Sequence, residues 1–331
     1  MCASDKEQAY FGDDIPVLQA IDVSNSYDLP AKWLFGAKAQ RKVLDSVNLS
    51  IAEGEMFGLV GESGCGKTTL GRAMLGLINV QGQILLDGQC FDVRQRLQRA
   101  SKIQAVFQNP ASALNPAKKV GWLLEEPLRI HGWPRLQREK RVLEVLELIG
   151  LDTNLRHRRV TELSGGQKQR VCIGCALVLS PRLIIADEAT SALDVSVAAQ
   201  ILNLFGSLHS ELGLSMLFIS HNLDVVYYLC DRIAVMLDGR IIEQSTAAGL
   251  YDHPLHPYTL NLLAATPSIH NRVDGELPPE AESCTAPYAK VGCAWASRCS
   301  RCIRLCTEQA PELRNVAKPK EPAHLIRCHL A

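Results

Sequence analysis

The chain has 331 residues with 35 Lys plus Arg against 35 Asp plus Glu, so no net field recruits nucleic acid or an acidic membrane surface. Hydrophobic residues make up 47% and charged residues 21%, which excludes wholesale disorder and leaves enough apolar side chains for a core of about two domains at roughly 150 residues each. The longest apolar stretch, around Val171 to Leu179, falls short of the roughly 18 residues that cross a bilayer.

The first residues, MCASDKEQAYFGDD, are acidic and polar where a secretion signal is basic and then apolar, which predicts a cytosolic chain. Residues 18–24 and 43–51 alternate apolar and polar, and Met56–Val60 is a short apolar run; all three read as strands. GESGCGKTT at 61–69 follows directly and opens a helical pattern through Leu70, Ala73, Met74 and Leu77. Strands recur at 83–86 and 103–107. Helical periodicity then dominates at 122–130, 136–149 and 165–179, predicting an inserted helical subdomain over about residues 109–180. Strands return at 183–186, 216–219, 233–237 and 240–243, with helices over 195–212 and 223–229 between them. This alternation predicts an α/β fold with a largely parallel sheet covered on both faces. Beyond His270 proline content rises and periodicity fades, which divides the chain into residues 1–270 and a small cysteine-bearing extension, 271–331. No internal repeat is visible.

Gly61, Gly66, Lys67 and Thr68 complete G-x-x-x-x-G-K-[ST] between a strand and a helix, as a P-loop nucleotide hydrolase requires. The backbone from Gly61 through Glu62, Ser63, Gly64, Cys65, Gly66, Lys67, Thr68 and Thr69 would wrap phosphate, with the helix N-terminus adding a favourable dipole. Lys67 would reach the β- and γ-phosphates of ATP, and the Thr68 hydroxyl would hold Mg²⁺. LIIADE at 183–188 is an apolar strand ending in two acids: Asp187 suits Mg²⁺, and Glu188 suits a general base for water attacking the γ-phosphate.

LSGGQ at 163–167 resembles the signature of the ATP-binding-cassette (ABC) family. Ser164, Gly165, Gly166 and Gln167 open a helix and so form a second anion-binding N-terminus, which the resemblance assigns to the ATP held by a partner cassette. By the same resemblance Gln108 in VFQNP is the Q-loop glutamine, touching Mg²⁺ and the attacking water. Asp194 in SALD belongs to the loop that crosses to the other cassette, and His221 in FISHNLD is the switch histidine on the γ-phosphate. Each also has a plain structural reading: Gln108 as a surface amide, Asp194 and His221 as helix caps. Tyr27 matches the aromatic that stacks on adenine, with Tyr10, Trp33 and Phe35 as competitors.

The wording between these motifs, including LVGESGCGKTTLGR, VFQNPASALNP, ADEATSALDVSVAAQILNL and HPLHPYTLNLL, resembles the ATPase subunits of oligopeptide/dipeptide importers from about Val17 onward, and more closely the second of two paralogous ATPases. Departures from the family's usual wording are Ala189, Cys175, Thr161 and Ser300, none of them on phosphate or metal. The resemblance implies an ATP-hydrolysing motor, peripheral on the cytoplasmic face of the inner membrane. Its implied partners are a paralogous ATPase, two transmembrane permeases and an extracytoplasmic solute-binding protein, with no nucleic acid. Alternatives are the same motor for nickel or another small solute, and a non-transport ABC ATPase.

Six of the twelve cysteines fall between Cys284 and Cys328. Cys293, Cys299, Cys306 and Cys328 lie in a region with little apolar periodicity, and matching cysteines of the resembled family ligate a [4Fe–4S] cluster, so the resemblance implies one here. Zinc is the rival, with Cys302 joining Cys299, Cys306 and Cys328, and free packed thiols are the third reading.

Overall fold

The computed structural model describes residues 15–28, 40–90, 95–265, 292–319 and 321–331. Tyr10, Trp33, Phe35, Cys284 and the boundary expected at 270/271 lie outside the described residues.

Two long strands come first, β1 (Leu18–Asp28) and β2 (Gln40–Ile51). β3 (Met56–Val60), buried at every position, feeds the glycine loop and α1 (Lys67–Met74). β4 (Gln81–Leu86), β5 (Gln89–Cys90), α2 (Arg96–Lys102) and β6 (Ile103–Val106) follow. The helical block holds α3 (Pro110–Ala113), α4 (Val120–Ile130), α5 (Arg135–Leu148) and α6 (Gly165–Leu177). β7 (Leu183–Asp187), α7 (Val195–Leu212), β8 (Ser215–Ser220), α8 (Leu223–Leu229), β9 (Arg232–Leu237) and β10 (Arg240–Thr246) then alternate. Next come α9 (Ala247–Asp252) and α10 (Pro257–Ala265), and the extension contributes α11 (Arg304–Glu308), β11 (Arg314–Asn315) and β12 (Leu325–Ile326).

The main sheet runs β11-β12-β10-β9-β3-β8-β7-β6, parallel from β9 to β6 and antiparallel on the β10 side. The first strands are not part of it: β2-β1-β4-β5 is a separate antiparallel sheet. The reason is burial. β3, β7 and β8 are buried at every position, covered on both faces, whereas β2 alternates and can leave one face to solvent.

Side chains of β3 point alternately into two apolar clusters. Met56 and Val60 pack with the helical block through residues such as Leu124, Val145 and Ile173. Phe57 and Leu59 pack with α1 and the antiparallel sheet through Leu70, Met74, Leu18 and Leu49. The glycine loop is therefore anchored by a strand gripped from both sides. Described residues of the extension join the first of these clusters: Trp295 is buried there, with Cys293 and Cys299 packed against it, and β12 pairs with β10, Glu243 opposite Ile326.

Candidate nucleotide-binding site

Strand register brings the motifs to one edge. Val60 lies opposite Ser220 and Val235, Asp187 opposite Ile219, and Val106 opposite Ala186. The residues that follow, Gly61, Glu188, His221 and Gln108, therefore leave at the C-terminal edge of neighbouring parallel strands, where open α/β sheets bind ligands.

In the loop, Gly66 has φ 113°, and a Cβ there would meet the Val43 carbonyl at 2.8 Å. Only glycine allows β2 to approach so closely. Gly64 faces open space, and Glu62 and Ser63 are exposed. Lys67 is buried, its ammonium donating to the carbonyls of Gly61 at 2.7 Å and Glu62 at 2.9 Å. α1 has no acidic residue in its first turn, so its N-terminal dipole stays available to an anion. Cys65 is buried beside Lys67, and burial pushes its thiol up. Thr69 is half-buried at the start of α1.

The Thr68 hydroxyl donates to Asp187 Oδ1 at 3.1 Å. Burial raises the Asp187 carboxyl above its ordinary range, opposed by the Thr68 hydroxyl and seconded by the Glu188 carboxylate. A hydroxyl and a carboxylate this close are the hard oxygen donors that Mg²⁺ takes, and a cation here would favour the charged carboxylate that burial disfavours. Glu188 sits at φ 48°, an uncommon backbone for a non-glycine residue, held by its N–H to the Ile219 carbonyl at 2.9 Å. Its Oε1 is 3.5 Å from His221 Nδ1. His221 does not cap α8; Asn222 does, its Oδ1 accepting from Asp224 and Val225 N–H, which leaves the exposed imidazole at the sheet edge. Gln108 is exposed two residues past β6.

Ser164 and Gln167 form a reciprocal capping box on α6, each side chain bonded to the other's backbone N–H. Ser164 and Gly165 are exposed and a Cβ on Gly165 would meet nothing, whereas one on Gly166 would lie 2.7 Å from Val197 of α7. Asp194 caps α7, accepting from Val197 N–H at 2.9 Å, and that bond holds its carboxyl below the usual range. Its structural reading thus holds within this chain. Tyr27 is exposed near the end of β1, opposite Arg41, three positions along β2 from Leu44, which packs at Gly66.

Sequence reasoning missed Tyr258 of α10, whose hydroxyl accepts the Glu62 N–H at 2.9 Å. Its signal was present in HPYT, where His-Pro marks a helix start, but nothing local says what the tyrosine reaches.

Cys293, Cys299, Cys306 and Cys328 line one cavity of about 130 Å³, from which Cys302 is absent. Burial pushes the Cys293 and Cys299 thiols up, and Cys306 and Cys328 push both further in the same direction. Among the described residues no group of His, Cys, Asp and Glu is drawn together around a single metal ion.

The family model described as ABC transporter matches residues 44–191, and that described as oligopeptide/dipeptide transporter, C-terminal region, matches residues 242–306. The dipeptide transport ATP-binding protein DppF of Escherichia coli is 42% identical over 315 residues, 91% of each chain. The oligopeptide transport ATP-binding protein AppF of Bacillus subtilis is 39% identical over 329 residues, 95% of this chain and 97% of the relative. Among solved structures, cbiO1 of Clostridium perfringens, part of an ABC transporter complex, superposes with TM-score 0.63 and 26% identity over 75% of this chain and 96% of its own. A dimeric, post-hydrolysis ATP-binding cassette bound to ADP and Pi gives TM-score 0.61 and 28% identity over 70% of this chain and 98% of its own.

Proposed function

Because this chain belongs to the ATP-binding subunits of the oligopeptide/dipeptide ABC transporters and is the ATPase motor of a peptide importer, we propose that it supplies two half-sites, completed by a second cassette. The observation that carries this is the separation of roles within one chain. Lys67, Thr68, Asp187, Glu188, Gln108 and His221 gather at one sheet edge, while Ser164 and Gly165 present an exposed, capped helix N-terminus with its own anion preference.

In the proposed reaction Lys67 exchanges its loop carbonyls for the β- and γ-phosphates of ATP. Thr68 and Asp187 would hold Mg²⁺, which when bound would supply positive charge to offset that of the phosphates. Glu188 takes a proton from water as the water oxygen bonds to the γ-phosphorus. The bond to the β–γ bridging oxygen breaks, releasing ADP and phosphate. Gln108 orients that water, His221 steadies both Glu188 and the γ-phosphate, and Tyr27 stacks on adenine. Ser164 through Gln167, with Asp194 alongside, close on the nucleotide of the other cassette. The dimeric cassette with ADP and Pi among the structural neighbours supports this pairing.

Permease and solute-binding partners follow from the importer class. We assign the second cassette to a paralogous ATPase and place the assembly on the cytoplasmic face of the inner membrane; no helix among the described residues is long and apolar enough to cross it. Peptide is the proposed cargo because both named relatives serve peptide transport.

For the cysteine cavity we propose a [4Fe–4S] cluster on Cys293, Cys299, Cys306 and Cys328, with the structural role of ordering the extension. Cys293 and Cys299, whose ionisation burial and the neighbouring thiols oppose, suit a cationic centre. All four cysteines line a single cavity, which supplies the four thiolates such a cluster takes.

Reconstitution with the neighbouring permeases in vesicles tests the transport reading. ATP hydrolysis should rise when binding protein loaded with di- or oligopeptide is added. Stimulation by nickel or another small solute, with none by peptide, would replace the cargo assignment.

A further inference from the structure

The Gly61–Glu62 peptide unit is held on both sides. Its carbonyl accepts from Lys67 at 2.7 Å, and its N–H donates to Tyr258 Oη at 2.9 Å. Lys67 also takes the Glu62 carbonyl, so the two peptides that orient the lysine are adjacent to the bond made by Tyr258.

Tyr258 is itself rigidly placed. α10 begins at Pro257, suited to a first helical position, and His256 caps it by accepting the Tyr258 N–H on Nδ1 at 3.0 Å. The fully buried Glu243 of β10 accepts the N–H groups of Leu255 and His256 and meets His324 Nε2 at 2.8 Å. The tyrosine ring, fully buried, packs on Trp295 with centroids 4.9 Å apart. Arg298 lies 4.0 Å over the other ring of that pair, Trp295, and its Nη1 reaches Glu62 Oε1 at 3.5 Å. Trp295 and Arg298 occupy the segment between Cys293 and Cys299.

We infer that Tyr258 is a positioning residue for the phosphate loop, through which the cysteine-bearing extension sets nucleotide affinity, with Trp295 and Arg298 as its supports. When the γ-phosphate draws Lys67 away from the Gly61 and Glu62 carbonyls, the bond from Tyr258 is what still fixes the first peptide of the loop. The inference rests on the reading of this loop as the ATP site, and it concerns binding more than chemistry, because Tyr258 touches neither phosphate nor water.

The test is Mg·ATP binding to the purified full-length chain, measured with a fluorescent ATP analogue and competed with ATP, alongside kcat and KM of the reconstituted transporter. Tyr258→Phe keeps the ring on Trp295 and removes one neutral hydrogen bond, worth about 1 kcal/mol, so Kd and KM should rise roughly fivefold. kcat should stay within about twofold and the melting temperature should hold. Arg298→Gln should weaken binding by a smaller factor in the same direction. Failure of the wild-type chain to bind ATP would refute the site itself. Wild-type binding with an unchanged Kd in Tyr258→Phe, or an affinity loss that only tracks loss of folded protein, would overturn the positioning role.

Discussion

Glu188 Oε1 and His221 Nδ1 stand 3.5 Å apart, brought together from the ends of adjacent parallel strands β7 and β8. Each is freed for that meeting by a neighbour. Asn222 takes over the capping of α8, and the Ile219 carbonyl holds the Glu188 N–H, fixing the residue at φ 48°.

Glu188→Gln keeps the shape of that pair and removes the proton acceptor. We expect the variant to bind Mg·ATP with near wild-type affinity while single-turnover hydrolysis slows by at least about 100-fold, the usual worth of a general base. Rapid-quench assay at saturating Mg·ATP checks this; a rate equal to wild type would place the base elsewhere.

The exposed N-terminus of α6, with Ser164 and Gly165 open to solvent, predicts that a dilute single chain is a poor ATPase. Specific activity of the isolated subunit should rise with protein concentration and collapse in Ser164→Arg, which would crowd that N-terminus without touching Lys67. Activity independent of concentration down to high dilution would rule out a site shared between cassettes.

The Glu55–Arg232 pair tests stability apart from chemistry. Arg232 donates to both Glu55 oxygens, at 2.5 and 3.0 Å, reaches the Ser50 carbonyl, and lies over the Phe57 ring. Glu55 is 8% exposed and Arg232 27%. Glu55→Ala strands the guanidinium, and removing one partner of a buried pair costs on the order of 3 kcal/mol, reduced here by the arginine's partial exposure to about 2 kcal/mol. Urea denaturation should show that loss with no change in Kd for ATP among folded molecules.

Local chemistry made much of this visible. A loop of GESGCGKTT between an apolar run and a helical pattern, or LIIADE ending in two acids, carries its structural context within a dozen residues, and β3, β7 and α7 fall where periodicity places them. Pairing is another matter. Nothing in 18–24 or 43–51 states that these strands leave the main sheet, because partner choice depends on which faces the rest of the chain covers. The left-handed backbone at Glu188 and the bond from Tyr258 to Glu62, 196 residues away, are likewise consequences of assembly. α10 was hidden by its composition: buried Tyr258, Thr259 and Leu263 give it no clear polar face to read.

The cysteine cavity yields the last prediction. Cys306 is buried, and its backbone also ties the segment together, its carbonyl accepting the Cys293 N–H at 2.8 Å and its N–H reaching Ile303. Protein purified without oxygen should be brown, with broad visible absorbance and about four irons per chain. Cys306→Ser should lose the iron and become sensitive to limited proteolysis between residues 292 and 331, while the sheet edge that carries Lys67 and Asp187 remains folded. Cys302→Ser should keep the colour, since that thiol lies away from the cavity formed by the other four. Colourless anaerobic protein with one zinc per chain, released by Cys302→Ser, would exclude the cluster and give Cys302 the place among the ligands.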